Sequence, residues 1–149
     1  MTIVKATLND LPKVLSLQKL AYLSEAILVN NLSIQPLTQT LEEIEKEFSK
    51  GLILIKTDEK TGEIIGSIRA HEENGRVQVG KLMIHPDYQN RGLGTSLLKE
   101  IETYYKNKTF ELFTSGKSKK NLHFYLKNGY KEFKREKVTE EFDFVFLEK

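Results

Sequence analysis

The sequence predicts an α/β (α+β) fold in which one β-sheet is flanked by helices. Six short segments run apolar, or alternate apolar and polar residues, as strands do. Other segments repeat apolar residues at helical spacing, and the two kinds of segment are mixed along the chain. Because 149 residues with 39% hydrophobic and 30% charged side chains suffice for one core, we expect a single domain over residues 1–149.

The composition excludes several classes of function. The chain has no cysteine, which rules out disulfides, thiolate metal sites and a cysteine-linked acyl-enzyme. The net charge of +2 comes from well-mixed charges of both signs, so we expect no nucleic-acid partner. The start, "MTIVKATLND", has no signal-peptide core, and no segment reaches the roughly 20 apolar residues of a membrane span. We therefore expect a cytoplasmic protein with no membrane partner and no metal.

The first third of the chain predicts one strand and two helices. "TIVKAT" has the composition of a strand, and Asp10 is a candidate N-cap for a helix with Pro12 in its first turn. A second helix is predicted from Thr40 to Phe48 by its apolar spacing, and Gly51 ends it. The intervening "NNLSIQPL" is predicted to be a loop.

Three neighbouring strands are predicted next, followed by alternating helices and strands. "LILIKTD", "EIIGSIRAHEE" and "RVQVGKLMIHP" are joined by the short turns "EKTG" and "ENG". The remaining predicted elements are a helix from Leu93, a strand at "TFELFT", a helix from Ser118 to Asn128 closed by Gly129, and a strand carrying Phe142, Phe144 and Phe146.

Two glycines lie where the third of these strands gives way to a helix. The first amides of a helix have no intrahelical partner, and the helix dipole adds positive potential there, so this place suits a phosphate. Gly92 and Gly94 leave the main chain bare, while Thr95, Arg91 and Lys99 add a hydroxyl and two charges. The alternative interpretation is that the glycines only form a tight turn.

Three phosphate-binding motifs compete for this region. A dinucleotide fingerprint fails because Leu97 stands in place of its third glycine, and a P-loop ending in "SGKS" fails because Glu111 stands in place of its first glycine. The third motif, [RQ]-x-x-G-x-[GA], is matched by "QNRGLG". Within "KLMIHPDYQNRGLGTSLL", this motif resembles the GNAT superfamily of N-acetyltransferases, and "NLHFYLKNGY" resembles a later helix of the same family.

The resemblance covers the whole chain and implies the GNAT fold. That fold is a mixed, mostly antiparallel sheet of about six to seven strands flanked by about four helices. Members transfer an acetyl group from acetyl-CoA to an amine. The strand holding Met83 and the strand holding Phe113 are expected to separate, with the pantetheine arm of the cofactor between them. The cofactor-binding residues implied in this way are Leu82, Met83, Ile84, Gln89, Asn90, Arg91, Gly92, Leu93, Gly94, Thr95 and Asn121.

The resemblance also implies the catalytic groups. Tyr125 is expected to give a proton to the leaving sulfur, as a phenol can. Many members carry a glutamate on the strand before the glycine loop, but "VQVGK" at 77–81 has no carboxylate. Glu72 is the predicted substitute that takes the proton of the amine. His71 and a relay of water molecules are the alternatives.

We therefore expect an N-acetyltransferase that moves acetyl from acetyl-CoA to a primary amine of a small molecule or peptide in a ternary complex. A homodimer is compatible with this interpretation. Two alternatives remain: a non-catalytic CoA-binding module that serves as a sensor or scaffold, and a nucleotide-binding protein that uses "SGKS".

Overall fold

The computed structural model describes residues 2–149. Seven strands lie in one sheet, and in chain order they are β1 (Ile3–Lys5), β2 (Leu52–Thr57), β3 (Ile64–Glu73), β4 (Arg76–Ile84), β5 (Thr109–Ser115), β6 (Lys131–Lys137) and β7 (Asp143–Glu148). Their order across the sheet is β1-β2-β3-β4-β5-β7-β6. Neighbours are antiparallel except β4 and β5, which are parallel, so the expected mixed and mostly antiparallel sheet is confirmed.

Six α-helical segments accompany the sheet within the described residues. They are α1 (Leu11–Ala21), α2 (Leu23–Leu28), α3 (Gln35–Thr38), α4 (Leu41–Lys50), α5 (Leu93–Glu102) and α6 (Lys119–Lys127). The predicted loop "NNLSIQPL" runs into the four-residue α3, which has Pro36 in its first turn. Helix α2 follows α1 directly, and the spacing of apolar residues did not predict it as a separate helix.

The cap of the first helix differs from the prediction. The Asp10 side chain makes no cap hydrogen bond to α1. It instead accepts from the main-chain amide of Thr7 at 2.7 Å, in a capping box that opens a 3-10 turn over Leu8–Asp10. The second predicted helix is α4, and the Thr40 hydroxyl caps it by accepting from the Glu43 amide at 3.2 Å.

The sheet has a separate apolar core on each face. Val77 and Val79 of β4 pack with buried residues of α5 on one face, which we call the α5 face. Met83 of the same strand packs with Leu11 and Val14 of α1 on the other, which we call the α1 face. Side chains of a strand alternate between faces, so a change of face within β4 requires an irregularity in the strand.

One half of the α1 face has no helix over it. Helices α1 and α4 pack on β2, β3 and β4, whereas α5 packs on the opposite face of β2, β3 and β4. The α1 face of β5, β7 and β6 is therefore open to solvent. At its edge, all seven residues of β6 are exposed, and six of them are charged.

No helix within residues 2–149 combines the length and the apolar character that crossing a membrane requires.

Candidate active site

The two central strands of the sheet separate halfway along their length. β4 and β5 pair over only three positions, and the last pair joins Gln78 to Glu111. The pairing of β4 with β3 shifts between Ser67 and Arg69, where Lys81 has a positive φ of 50°. This bulge changes the face of the following residues, and beyond Gln78 the edge of β4 that faces β5 is unpaired. We call the resulting opening the gap.

The predicted pantetheine-binding residues line one side of the gap. Leu82 and Ile84 turn their side chains toward the core of the α5 face, and Met83, 2% exposed, turns its side chain toward the core of the α1 face. Their main chain is what faces the gap. An extended ligand can pair with such an unpaired strand edge as an added strand would.

The glycine loop opens α5 with bare main chain. Gly92 is the N-cap residue at φ 80°, a left-handed conformation that glycine adopts without strain, and Asn90 shares this region at φ 62°. No side chain caps the helix at Gly92, and the first main-chain bond into it runs from the Ser96 amide to the Gly92 carbonyl at 3.1 Å. The amides of Leu93, Gly94 and Thr95 therefore remain available to an anion.

Gly92 and Gly94 have different structural roles. A Cβ added to Gly92 meets no atom within 4 Å, so the space over the loop is open. A Cβ added to Gly94 would lie 3.3 Å from Cζ of Phe124 on α6. Gly94 thus lets the two helices approach each other, a packing reason that the spacing of the glycines alone did not reveal.

Polar and charged side chains surround the loop. Arg91 lies over the Tyr88 ring, 5.1 Å from its centroid, and donates to the Asp87 carbonyl at 3.3 Å. Lys120 of α6 donates to Gln89 Oε1 at 3.3 Å. Gln89 and Asn90 are exposed, whereas the side chain of Leu93 is buried and that of Thr95 is half-buried.

The start of α6 lies beside the other wall of the gap. Ser118, in the motif "SGKS", accepts from the Asn121 amide at 3.4 Å, which makes it a helix cap. The Asn121 side chain donates to Thr114 Oγ1 of β5 at 3.3 Å. This contact fixes Asn121 against the strand that borders the gap.

Tyr125 connects the two faces of the sheet. Its ring packs with the core of the α5 face, 5.2 Å from Phe124 and 6.0 Å from Tyr130 between centroids. Burial raises the pKa of its hydroxyl, and Glu25 of α2 raises this pKa further. Tyr22, which packs with the core of the α1 face, has its pKa raised by burial and then by Tyr125.

Glu25 was not among the predicted catalytic residues. Its side chain is half-buried, and burial raises the pKa of its carboxyl. No cation of residues 2–149 lies within ion-pair distance of it. The sequence signal was weak, because a lone glutamate on a short helix is usually solvated.

Glu72 lies elsewhere in the sheet. It pairs in register with Val77, is exposed, and forms an ion pair with Lys108 at 3.3 Å. It contributes to the pKa of Tyr105, at the end of α5, rather than to that of Tyr125. The nearby His71 lies 3.5 Å from Glu73. The structure does not bring Glu72 to the residues that surround Tyr125.

A buried polar network supports the gap from the α1 face. Arg69 of β3, 6% exposed, donates to Glu47 at 3.0 Å, to Gln39 at 3.2 Å and to Gln18. Gln18 in turn donates to Gln39 at 2.8 Å. Burial lowers the pKa of Arg69, and burial likewise lowers that of Lys81 in the bulge. Among the described residues, the structure shows no group of three acidic, histidine or cysteine side chains able to hold a metal.

Comparison of the sequence with known proteins finds acetyltransferases. Residues 17–130 match the Acetyltransferase (GNAT) family model. The chain is 25% identical, over 91 residues, to an uncharacterized N-acetyltransferase of Bacillus methanolicus; the match covers 61% of this chain and 74% of that one. It is 37% identical over 57 residues to the tRNA(Met) cytidine acetyltransferase TmcA of Aeropyrum pernix, covering 38% of this chain and only 8% of that enzyme.

A solved structure of an N-acetyltransferase shares this fold. The PaiA N-acetyltransferase of Thermoplasma acidophilum, solved in complex with coenzyme A, superposes with a TM-score of 0.78 and 20% identity, covering 100% of this chain and 99% of that one. The family match spans more than half of the chain and includes both the glycine loop and Tyr125. On these grounds, the chain belongs to the GNAT family of acetyltransferases.

Proposed function

We propose that this protein transfers the acetyl group of acetyl-CoA to a primary amine of a small molecule or peptide, by direct attack within a ternary complex. The observation that supports this most is the gap between β4 and β5, with Tyr125 packed on one face of the sheet and Tyr22, whose pKa Tyr125 raises, packed on the other. A gap through the sheet lets two substrates meet from opposite sides, which supplies proximity and orientation.

The residues around the gap fit the cofactor. The free amides at the start of α5 suit the pyrophosphate, and the open space over Gly92 admits it. The unpaired edge of β4 at 82–84 suits the amide groups of the pantetheine arm, with Asn121 as a further partner. Bound there, acetyl-CoA supplies the activated thioester.

The reaction requires the protein to position the two substrates and to assist two proton transfers. The amine nitrogen attacks the thioester carbonyl carbon, so that a C–N bond forms and the C–S bond breaks. A main-chain amide of β4 near Met83 stabilises the negative charge that develops on the carbonyl oxygen. Tyr125 gives its proton to the departing sulfur. A phenol is protonated at neutral pH, and the raised pKa of Tyr125 does not change this, so the hydroxyl is in the state that an acid requires.

The amine must also lose a proton, and we propose that Glu25 takes it. Its charge raises the pKa of the Tyr125 hydroxyl, and no cation of residues 2–149 lies within ion-pair distance of the Glu25 carboxyl. A raised pKa brings a carboxyl nearer to neutral pH, where a base is most effective. Glu72 stays the sequence-based candidate, and a pair of variants separates the two.

Transfer is tested by mixing the protein, acetyl-CoA and a panel of primary amines, and following the release of free thiol. Since the chain has no cysteine, all thiol detected comes from coenzyme A. The panel includes monoamines, diamines, aminoglycosides and peptides with a free α-amino group. Amine-dependent thiol release supports the proposal, and a mass increase of one acetyl group on the amine identifies the product.

One observation favours a second candidate, a module that binds coenzyme A without transfer. The stretch 77–81 of β4 has no carboxylate, whereas many family members carry a glutamate on this strand. This candidate predicts that calorimetry detects acetyl-CoA binding while no amine of the panel releases thiol. Absence of binding would contradict both candidates.

A further inference from the structure

Three phenylalanine rings form a continuous apolar surface on the open half of the α1 face. Phe113 of β5 lies 4.8 Å from Phe144 and 5.3 Å from Phe146 of β7, measured between ring centroids. We call these three residues the aromatic patch. Phe113 is 54% exposed, and the other two rings are half-buried. Contiguous exposed apolar surface of this kind marks a binding site more often than a scattered residue does.

The aromatic patch borders the gap. The β4–β5 pairing ends at Glu111, and Phe113 is two residues further along β5, so both side chains project from the α1 face. Neighbouring Phe110 and Leu112 point to the opposite core, which confirms the alternation. Tyr22 packs with the core of this same face, and the proposed base Glu25 follows it three residues later, in α2. The patch is therefore on the side from which the amine enters.

The charges around the patch are paired. The Lys134 Nζ atom lies 4.5 Å from the centroid of the Phe146 ring and forms an ion pair with Glu136 at 3.2 Å. Arg76, which lies over Phe133, bonds Glu111 at 2.8 Å and Glu148 at 2.7 Å. These two cations are held by three carboxylates, so the rim offers no free cation to a polyanion, and its single excess charge does not make a site for a polycation. The rim complements an uncharged apolar group instead.

We propose that the acceptor is a primary amine carrying an aryl or branched alkyl group, which packs on the aromatic patch while its nitrogen enters the gap beside Tyr125. This inference rests on the proposed acetyl transfer and narrows its substrate class. Aromatic side chains bind such groups by apolar contact and by edge or offset stacking.

The test compares kcat/KM for ethylamine, ethanolamine, 3-methylbutylamine and 2-phenylethylamine. We expect 2-phenylethylamine to exceed ethylamine by about 10- to 100-fold, since an apolar area of the size of a phenyl ring leaves water. Phe113→Ala should remove most of this preference through KM for the amine. The rate with ethylamine, which has no group that reaches the patch, should fall far less than the rate with 2-phenylethylamine.

Phe133→Ala is the matched control. Phe133 lies on β6, 38% exposed, with its ring 6.4 Å from Phe146 and β7 between it and the gap. This variant should keep the wild-type preference. Equal kcat/KM for all four amines, or an equal loss in both variants, would overturn the inference.

Two further readouts separate this inference from the proposed function. Chemical-shift changes on titration with 2-phenylethylamine, with coenzyme A present, report binding even if no acetyl group is transferred. If peptides release thiol but 2-phenylethylamine binds no better than ethylamine, acetyl transfer stands and the apolar acceptor does not. If ultracentrifugation finds a dimer that Phe113→Ala dissociates, the patch joins two copies of the chain and the inference is wrong.

Discussion

Tyr125 and Glu25 lie on opposite sides of the sheet and nevertheless interact electrostatically. Tyr125 packs with the core of the α5 face, whereas Glu25 belongs to α2, which continues α1 on the other face. The strands between them are separated beyond Gln78. A fully paired sheet would place main chain between the two faces at this level, so we attribute the influence of Glu25 on the pKa of Tyr125 to the gap.

Loss of the Tyr125 hydroxyl should slow the reaction without weakening cofactor binding. We expect Tyr125→Phe to lower kcat by about 100-fold, the effect of removing a general acid, with an unchanged acetyl-CoA dissociation constant. Tyr105→Phe is the control, because Tyr105 also has a raised pKa but lies at the far end of α5. Steady-state kinetics and calorimetry check both, and wild-type kcat in Tyr125→Phe would exclude this acid.

The two candidate bases are separated by matched amide variants. Glu25→Gln should lower kcat/KM for the amine by about 10- to 100-fold and flatten its acid limb in the pH profile. Glu72→Gln loses only an exposed ion pair with Lys108, so kcat/KM should stay at the wild-type value. The opposite result would restore the prediction made from the sequence.

The burial of Glu25 should also be visible in the pH dependence of stability. Its pKa is raised on folding, so the folded chain holds this proton more tightly than the unfolded chain does. The stability that the protonated carboxyl contributes is present below its unfolded pKa and is lost as pH rises through the folded pKa. Glu25→Gln should therefore raise Tm at pH 8 and leave it unchanged at pH 4. Equal Tm differences at both values would show that burial of the charge is not the cause.

Two substitutions at Gly92 separate strain from phosphate binding. Gly92→Ala should destabilise the fold by about 1–2 kcal/mol, because φ is 80°. Asn tolerates this conformation, so Gly92→Asn should keep the Tm near that of the wild type. Both should weaken acetyl-CoA binding, since each side chain enters the open space over the loop. Unchanged affinity in Gly92→Asn would mean that the phosphates bind elsewhere.

Gly94 offers an independent test of packing. Gly94→Ala places a methyl group 3.3 Å from Cζ of Phe124, and we expect this crowding to cost about 1 kcal/mol in the free energy of unfolding, a loss that offsets the helix propensity gained by replacing glycine. Phe124→Leu combined with Gly94→Ala should recover part of this loss, because the ring is removed. Denaturant titration of the single and double variants measures the coupling, and strict additivity would contradict this account.

Most strands and the glycine loop could be predicted because their signals are local. The turn "ENG" has positive φ at Asn74 and Gly75, as a two-residue hairpin turn requires, so the pairing of β3 with β4 followed from the sequence. Helix α2 was not predicted because its large apolar residues do not face a core: Leu23 is 46% exposed and Ile27 is 66% exposed, and only the small Ala26 is buried. No amphipathic pattern then marks the helix.

The rest of the site depends on contacts between distant segments. Arg69 is 51 residues from Gln18 in sequence, and only the packing of α1 on β3 joins them. Glu25 and Tyr125 are likewise far apart in sequence, and no local pattern predicts that the charge of Glu25 raises the pKa of Tyr125. The role of Gly94 also became clear only when α6 was placed beside it.

The all-exposed strand β6 has a consequence for the behaviour of the protein in concentrated solution. An outer strand presents unused amide and carbonyl groups, and such a strand can recruit other chains into growing fibrils. In β6, Lys131, Lys134, Arg135 and Lys137 alternate with two glutamates, so an approaching strand would have to give up the hydration of six ionised groups. The sequence "KEFKREK" thereby disfavours self-aggregation through β6, although the neighbouring aromatic patch is apolar and exposed to solvent.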